Sequence, residues 1–255
     1  MHHRGAASYC PIWAGKSKVF KESMQSTHGI LYVVATPIGN LGDVTLRAVE
    51  VLRDVDLVIA EDRRRALALL SHLGLRKPIV TINSYNESSR ARSIAVQIAE
   101  GRKAALISAA GTPCISDPGD RVVAACVEAG IEVRAVPGPS AALAALSLSG
   151  LSPDRFLFYG FLPQKKGKKK KLLRDLLAGA FPVVLFESPR RVRETLAVVA
   201  EVAPERKVVV CREVTKAHEE VLRGTAADVA SEVAASETRG EYTLIVDGKG
   251  RQAPP

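Results

Sequence analysis

The sequence lacks any apolar run that approaches the roughly 20 residues needed to cross a bilayer, so we expect a protein without transmembrane helices. Its first 29 residues also lack the continuous apolar stretch of a secretory signal. We expect residues 1–29 to be a disordered extension, and the sequence leaves open whether translation starts at Met1 or at Met24. Together with the cysteine pattern described next, these features make the cytoplasm the expected location.

Paired and regularly spaced cysteines are also absent. The four cysteines contain no CxxC pair, which argues against a zinc site and a disulfide framework; they are Cys10, Cys114, Cys126 and Cys211. We therefore expect no metal site and a reducing compartment. No GxGxxG fingerprint follows the first predicted strand, so an ordinary dinucleotide-binding site is poorly supported.

Positive charge is abundant. Lys and Arg number 36 against 27 Asp and Glu, which gives a formal net charge of +9 and a pI near 9.5. Such a charge favours a polyanionic partner: nucleic acid, an acidic small molecule or a membrane surface. The cations cluster at Lys165, Lys166, Lys168, Lys169, Lys170, Lys171 and Arg174. This run is either a solvated helix face or, as its clustering favours, a track for the phosphates of a nucleic acid.

Strand-like apolar runs alternate with amphipathic stretches in the first half of the chain. The runs are 30–35, 56–60, 78–82, 104–107 and 131–136. This alternation predicts an α/β fold with a mostly parallel sheet covered by helices. Apolar residues also repeat at helical spacing between Gly39 and Asp54, where Asp43 is the expected N-cap.

A second series of elements follows residue 151. Its predicted strands are 156–161, 183–187, 207–212, 219–223 and 241–247, and its predicted helices are 168–177, 189–202 and 226–235. Pro189 is expected in a first helical turn. Because turn formers fill 149–153, we expect α/β domains at 30–150 and 151–248, followed by a frayed tail at 249–255.

Three strand ends in the first half open into loops of small residues, at 36–40, 108–113 and 137–141. In α/β proteins, ligands bind outside the carboxyl ends of the strands, where small side chains let the backbone approach. The sequence therefore predicts one ligand pocket at these loops. The alternative is that Gly and Pro only turn the chain.

Six blocks of the sequence carry a close resemblance to a known family. They are 30–52 (ILYVVATPIGNLGDVTLRAVEVL), 60–62 with Arg64, 108–119 (SAAGTPCISDPG), 136–141 (VPGPSA), 160–163 and 186–189 with Arg191. The chain resembles the ribosomal small-subunit RNA cytidine 2′-O-methyltransferase I family, which has the tetrapyrrole-methylase fold. The resemblance extends over nearly all of residues 30–247.

The resemblance implies a homodimer of two α/β domains that binds S-adenosylmethionine in the cleft between them and acts on ribosomal RNA or the small ribosomal subunit. The loop at 36–40 would form the floor of the active site, and the other loops would hold the donor. The implied donor-binding residues are Thr36, Pro37, Gly39, Ser108, Ala109, Ala110, Gly111, Thr112, Pro113, Pro137, Gly138, Pro139, Ser140, Ala141, Thr243 and Leu244.

The chain departs from the family pattern at several of these positions. Ala109 stands where members commonly carry Asp, so one carboxylate expected near the donor is absent. Arg63 replaces a usual threonine and Arg65 a common histidine, and the stretch 83–87 lacks the histidines usual there. These changes bear on the assignment of individual site residues more than on the family.

Transfer of a methyl group to a ribose hydroxyl needs close placement and removal of a proton. The candidate bases are Glu61, Asp62, Glu87, Asp117 and Glu187; Asp62 has a helix N-cap and Asp117 a turn former as the alternative interpretation. Our predicted catalytic residues are Glu61, Asp62, Asn40 and Lys216. The predicted RNA-binding residues are Arg64, Lys165, Lys166, Lys168, Lys169, Lys170, Lys171 and Arg191.

Two other functions stay open at this point. Relatives with the same fold methylate carbons of tetrapyrroles, and a basic cleft would suit those acidic substrates too. The loss of a carboxylate at Ala109 also allows a non-catalytic RNA-binding protein that keeps the scaffold. Binding of S-adenosylmethionine separates the enzymes from the scaffold.

Overall fold

The computed structural model describes residues 29–151 and 154–249. Apart from Gly29 and Lys249, the predicted extension and tail lie outside the described residues. Met24 and Cys10 also lie outside them. Within the described residues no helix is long and apolar enough to cross a membrane.

The first half is built on one five-stranded parallel sheet in the order β3-β2-β4-β1-β5. Its elements are β1 (Ile30–Val34), a 3₁₀ turn (Leu41–Asp43), α1 (Leu46–Asp54), β2 (Leu57–Ala60), α2 (Arg63–His72), β3 (Ile79–Thr81), α3 (Glu87–Ala99), β4 (Lys103–Ile107), α4 (Asp120–Glu128), β5 (Glu132–Val136) and α5 (Ala141–Leu148).

Helices cover both faces of this sheet because successive strand residues point to opposite sides. On β1, Tyr32 and Val34 pack toward α1 and α2, whereas Leu31 packs toward α3 and α4. The central strands β2 and β4 are buried along nearly their whole length. Parallel order places all five carboxyl ends of the strands at one edge, where the small-residue loops follow.

The second half is built on a mixed sheet in the order β6-β7-β10-β8-β9. Only β6 and β7 pair in parallel, and the other neighbours are antiparallel. The elements are β6 (Leu157–Phe161), α6 (Lys166–Leu177), β7 (Val183–Glu187), α7 (Val192–Val202), β8 (Lys207–Arg212), β9 (Glu220–Thr225), α8 (Ala226–Ala235) and β10 (Tyr242–Val246).

One helix of the first half covers the second sheet. On one face of that sheet, α6, α7 and α8 form a core around Leu185 and Leu244. On the other face, Ala145 and Leu146 of α5 pack against Val184 and Ile245. Helix α5 therefore joins the two halves, and it sets the space left between them. The division at 149–153 into two domains stays a prediction.

The predicted α/β fold class is confirmed, and each of the ten predicted strands lies within two residues of an observed one. Two predictions were wrong in detail. Thr45, not Asp43, caps α1, because its hydroxyl accepts the Ala48 N–H at 3.1 Å. Helix α7 begins at Val192, so Pro189 lies in the turn before it.

Candidate functional site

A cavity of about 660 Å³ lies between the two halves, and we call it the central cavity. The first half contributes Ala110, Gly111, Thr112 and residues 115–117 from the loop after β4, and Pro137, Gly138 and residues 140–143 from the segment after β5. The second half contributes Phe161, residues 186–189, Val214, Lys216 and residues 241–243. Loops distant in the sequence thus form one mostly apolar cavity.

Backbone contacts hold the loops of the first half together. Thr36 and Gly111 exchange backbone hydrogen bonds of 2.8 and 3.0 Å, which ties the loop after β1 to the loop after β4. The Thr112 hydroxyl donates to the carbonyl of Pro139 at 3.3 Å. A Cβ on Gly138 would lie 3.1 Å from the Cβ of Ala35, so this close approach leaves little room for a side chain. The loops are therefore fixed to one another.

Aromatic side chains form the facing wall from the second half. The ring of Phe186 lies 5.1 Å from that of Phe158 in an edge-to-face arrangement and 5.8 Å from that of Phe161. Phe161 is 54% exposed, so it offers an apolar surface to a ligand. Phe161 and Phe186 line the central cavity and were not predicted as site residues, although both lie in the blocks that carry the resemblance.

Two further hollows adjoin the central cavity. The small cavity, of about 200 Å³, lies between the loop after β1, residues 107–110, α2 and Lys216. The outer pocket, of about 620 Å³, is open to solvent and is lined by residues 61–65, Asn83, Ala109, Ala110, Asp117 and Glu241. Ala110 and Glu241 line all three spaces. The cleft is thus continuous from the central cavity to the surface.

Two loops at the cleft hold non-glycine residues in the left-handed region. Cys114 and Ser116 have φ of 67° and 65° in the loop after β4, and Glu213 and Thr215 have φ of 50° and 69° in the loop after β8. Each such residue costs on the order of 1–3 kcal/mol, and such strain concentrates at functional sites. Burial raises the pKa of the Cys114 thiol to about 11, so this cysteine is not a nucleophile at neutral pH.

Lys216 reaches across the cleft from the second half. Its ammonium donates to Glu213 Oε1 at 2.7 Å and to Glu241 Oε2 at 3.0 Å. Burial opposes the charge, but these hydrogen bonds outweigh it and raise the pKa of Lys216 above its usual value. A Cβ on Gly39 would lie 2.3 Å from the Lys216 Cγ, so the lysine stem crosses directly over the loop after β1.

Most carboxylates at the cleft already have partners. Asp62 caps α2 by accepting from the N–H groups of Arg64 and Arg65, which lower its pKa. Buried Glu87 accepts from the Gly119 and Arg121 N–H groups at 2.8 and 3.0 Å. Buried Glu187 accepts from Ser188 and Thr195 and pairs with Arg191. Each of these three candidate bases therefore serves as a cap or clamp in the structure.

Two candidate bases differ from the others. Among the described residues, no hydrogen bond or ion pair engages the carboxylate of Asp117 or that of Glu61. Burial and the nearby negative charge of Glu61 raise the pKa of Asp117 to about 6. Asp117 lines both the central cavity and the outer pocket, whereas Glu61 is exposed and lines the outer pocket alone.

The predicted donor-binding residues fall into three groups. The central cavity is lined by Ala110, Gly111, Thr112, Pro137, Gly138, Ser140, Ala141 and Thr243. The small cavity is lined by Thr36, Pro37, Gly39, Ser108 and Ala109. Neither cavity is lined by Pro113, Pro139 or Leu244. Leu244 is fully buried in the core of the second half, because alternate residues of β10 face opposite sides of the sheet.

Asn40, a predicted catalytic residue, is exposed and accepts from the Gly42 N–H at 3.0 Å, as the N-cap of the 3₁₀ turn.

The predicted RNA-binding cations also divide. Exposed side chains are those of Arg64, Lys165, Lys166, Lys168 and Lys171, while Lys170 is partly buried and pairs with Glu201. Lys169 is different: its side chain is fully buried, with the ammonium 3.2 Å from Glu194 Oε1. Arg191 is turned inward, where it donates to the carbonyl of Leu162 at 2.6 Å. In this arrangement neither Lys169 nor Arg191 presents its charge to a phosphate.

Two of the residues that depart from the family pattern, Ala109 and Arg65, share one wall. Ala109 and Arg65 both line the small cavity and the outer pocket, and a guanidinium nitrogen of Arg65 lies 3.9 Å from Glu241 Oε1. An exposed pair at this distance adds little stability. Relative to the pattern that the resemblance implies, Ala109 removes a negative charge from this wall and Arg65 adds a positive one.

The chain is similar in sequence to proteins of known families. The family of tetrapyrrole (corrin/porphyrin) methylases matches residues 30–230. The chain is 42% identical over 221 residues to a ribosomal RNA small subunit methyltransferase I of Thermotoga maritima, covering 87% of this chain and 99% of that protein. It is 44% identical over 221 residues to the protein of the same name from Synechocystis sp., covering 86% and 79%.

Solved structures with the same fold are more distant in sequence. A uroporphyrin-III-C-methyltransferase from Thermus thermophilus matches with a TM-score of 0.60 and 22% identity, over 86% of this chain and 94% of that one. A diphthine synthase matches with a TM-score of 0.68 and 14% identity, over 88% and 91%. At such identities the likeness concerns the fold alone.

Proposed function

Since the chain belongs to the tetrapyrrole (corrin/porphyrin) methylase family, and within it to the ribosomal RNA small subunit methyltransferase I group, we propose that it methylates small-subunit ribosomal RNA. The proposed donor is S-adenosylmethionine and the proposed acceptor is the ribose 2′-hydroxyl of a cytidine. The observation that carries the proposal is 42% identity across 99% of a relative with that name. The cleft geometry supports it independently.

The central cavity suits a nucleoside-sized donor. Ligand sites in proteins are typically about 300–1,000 Å³, mostly apolar, with a few polar groups that fix orientation. The cavity has about 660 Å³, and small residues line it on the side of the first half, among them Ala110, Gly111 and Gly138. Its aromatic wall at Phe161 and Phe186 can cover a planar ring. When bound, S-adenosylmethionine supplies a methyl group on a positively charged sulfur.

The outer pocket suits the RNA ribose and its phosphates. Arg63, Arg64 and Arg65 are exposed at its rim, at the start of α2. Arginine is well matched to phosphate oxygens. A nucleotide held there would present its sugar to the junction with the central cavity at Ala110 and Asp117. Placement of the two reacting groups in contact is the largest contribution that such a site can make to the rate.

Helix α6 is well placed to extend this contact. Phe161 lines the central cavity, and Lys165 follows four residues later, at most about 14 Å away along the chain. The first turn of α6 is rich in lysine and has no side-chain cap. Positive charge at a helix N-terminus opposes the helix dipole. Such a local conflict is expected at a functional site, and bound phosphates would relieve it.

Lys216 is proposed to act as a charged group. Because Glu213 and Glu241 hold its ammonium protonated, it cannot remove a proton from the substrate. It can place positive charge beside the oxygen that becomes negative as its proton leaves. Its stem also fixes the loop after β1 against the second half.

We further propose that the chain is a homodimer that works in the cytoplasm. Leu157 and Tyr159 are exposed apolar residues on β6, an edge strand of the second sheet. Apolar residues exposed on an edge strand are typical of a protein interface. Sedimentation equilibrium measures the association directly, and a single monomeric mass at micromolar concentration would contradict the dimer.

The test of the function is mapping of ribose methylation on small subunits by mass spectrometry. Subunits from a strain without the gene should lack one cytidine 2′-O-methyl group and regain it when they are incubated with the purified protein and S-adenosylmethionine. Methylation of a tetrapyrrole, with none of RNA, would favour the other enzyme class. If calorimetry detects no donor binding, the non-catalytic alternative replaces the proposal.

A further inference from the structure

We propose that Asp117 is the catalytic base that removes the proton from the substrate hydroxyl, an inference that rests on the proposed function. The loop after β4 carries this carboxylate to the junction of the central cavity and the outer pocket. The donor and the acceptor would meet at that junction. A base for the reaction must lie within hydrogen-bond reach of the acceptor hydroxyl, and position is therefore the first criterion.

Most other carboxylates at the cleft already have hydrogen-bond or ion-pair partners. Asp62 and Glu87 cap helix N-termini, and Glu187 is held by three partners. Glu213 and Glu241 share the ammonium of Lys216. Hydrogen bonds and ion pairs of this kind stabilise the ionised form of a carboxylate, which makes it a weaker base.

Glu61 and Asp117 are the two remaining carboxylates. Among the described residues, neither has a hydrogen-bond or ion-pair partner. Glu61 lines only the outer pocket and is exposed. Asp117 lines both spaces and is partly buried. Among the cleft carboxylates of the described residues, only Asp117 has both oxygens without a hydrogen-bond or ion-pair partner and also lines both the central cavity and the outer pocket.

The loop that carries Asp117 is held at both ends. The N–H of Gly119, two residues after Asp117, donates a hydrogen bond to the Glu87 carboxylate. Ser116, at φ 65°, packs so closely on Gly160 of β6 that a Cβ there would lie 2.5 Å from the Ser116 hydroxyl. These contacts come from both halves of the protein. A catalytic side chain needs this kind of support to keep its geometry.

The surroundings also set the proton affinity of this group. Burial first, and then the negative charge of Glu61, raise the pKa of Asp117 to about 6. On the α2 side, the charged groups that share the outer pocket are Asp62, Arg63, Arg64 and Arg65. Across the cleft, the ionisable groups are Glu187, Lys216, Glu241 and Tyr242. Beside its own loop are Cys114, Glu87 and Asp120. A base with a pKa just below neutral pH is ionised when the enzyme works and still accepts a proton well.

The proposed step balances. A lone pair of the ribose 2′-oxygen forms a bond to the methyl carbon while the carbon–sulfur bond of the donor breaks and its electron pair returns to sulfur. The hydroxyl proton passes to the Asp117 carboxylate, which becomes a neutral carboxylic acid. Because the outer pocket is open, the proton then leaves to water. The products are the methylated ribose and a neutral thioether, with no further reactant.

The test is the pH dependence of kcat/KM for methyl transfer to small subunits by the full chain. The wild type should lose activity tenfold per pH unit below about 6. Asp117→Asn should lower kcat about 10²–10⁴-fold and abolish the loss of activity below pH 6. Its Kd for the donor, measured by calorimetry, should stay within about threefold of the wild-type value. Asp117→Glu should recover part of the rate. Asp120→Asn removes the same charge from an exposed site nearby and should keep the wild-type rate and profile.

A second measurement does not depend on turnover. Without donor, a ¹³C-labelled aspartate carboxyl should titrate near pH 6 in the wild type and be missing in Asp117→Asn. Glu61→Gln should move that titration, and the kinetic limb, to lower pH because a like charge is removed. Wild-type methylation with an unchanged rate and profile in Asp117→Asn would overturn the inference and leave the function intact. Absence of wild-type methylation would instead overturn the proposed function.

Discussion

Replacement of Glu87 by alanine should destabilise the protein strongly, although Glu87 lies far in sequence from the helix that it caps. The side chain is 4% exposed, and its Oε1 accepts from the N–H groups of Gly119 and Arg121 at the start of α4. The N-cap residue of α4 is Gly119, which has no side chain to serve this purpose. Glu87→Ala therefore leaves two N–H groups near the helix end without an acceptor.

The size of the effect follows from the two hydrogen bonds. Hydrogen bonds to charged groups contribute about 1.5–3 kcal/mol, and two that share one oxygen are not additive. We expect Glu87→Ala to lower the free energy of unfolding by about 3 kcal/mol. Glu87→Gln keeps a neutral acceptor and should cost about 1 kcal/mol.

Urea denaturation followed by circular dichroism measures these values at 25 °C. The matched control is Glu100→Ala, an exposed residue at the other end of α3, which should change the free energy by less than about 0.5 kcal/mol. If Glu87→Ala lies within that same limit, the capping argument is wrong. A changed m-value would show that the denatured or native state itself had changed.

Three further predictions concern the cleft. The folded-state pKa of Asp117, about 6, lies above its usual 3.8, so ionisation costs stability as pH rises from about 4 to 6. Asp117→Asn should thus be about 1–2 kcal/mol more stable than the wild type at pH 8, after discounting for solvent screening, and equal to it below pH 4 in urea melts. Gly39→Ala must displace the Lys216 stem and should cost about 1–2 kcal/mol; no loss would contradict the packing. Lys168→Ala with Lys171→Ala should reduce the slope of log K for RNA binding against log salt concentration by about 0.7–0.9 for each phosphate that is no longer neutralised. An unchanged slope would show that α6 does not contact the RNA.

The fold was largely predictable because its signals are local. The apolar runs at β7 and β8 predicted the observed strands to the residue. Helix ends were less predictable, since a cap depends on which side chain reaches an N–H. Asp43 and Thr45 are both good N-caps by type, and only the observed 3₁₀ turn before α1 decides for Thr45.

The location of the site was also predictable, because parallel strands bring their carboxyl ends together. The roles of single residues were not. Lys169 looks like its neighbours in the sequence, yet it faces Glu194 in the helix packing. Glu87 and Gly119 are 32 residues apart, and no local pattern links them. Such assignments depend on tertiary contacts between halves or helices, which composition and periodicity do not contain.

The wall formed by Ala109 and Arg65 illustrates the same limit. The resemblance identifies Ala109 and Arg65 as two of the departures from the family pattern, but it does not show that both line the small cavity and the outer pocket. Because the two residues lie on one wall, their effects on the charge of the cleft act at the same place. It also places the missing carboxylate beside the small cavity rather than in the central one.

The most direct test of the account is a crystal structure with S-adenosylhomocysteine, the product left by the donor. We expect the ligand in the central cavity, between the loop at Gly111 and Gly138 and the strand end at Thr243, with its sulfur directed toward Asp117. A ligand bound elsewhere, or a structure in which side chains from the two halves fill this space, would contradict the account.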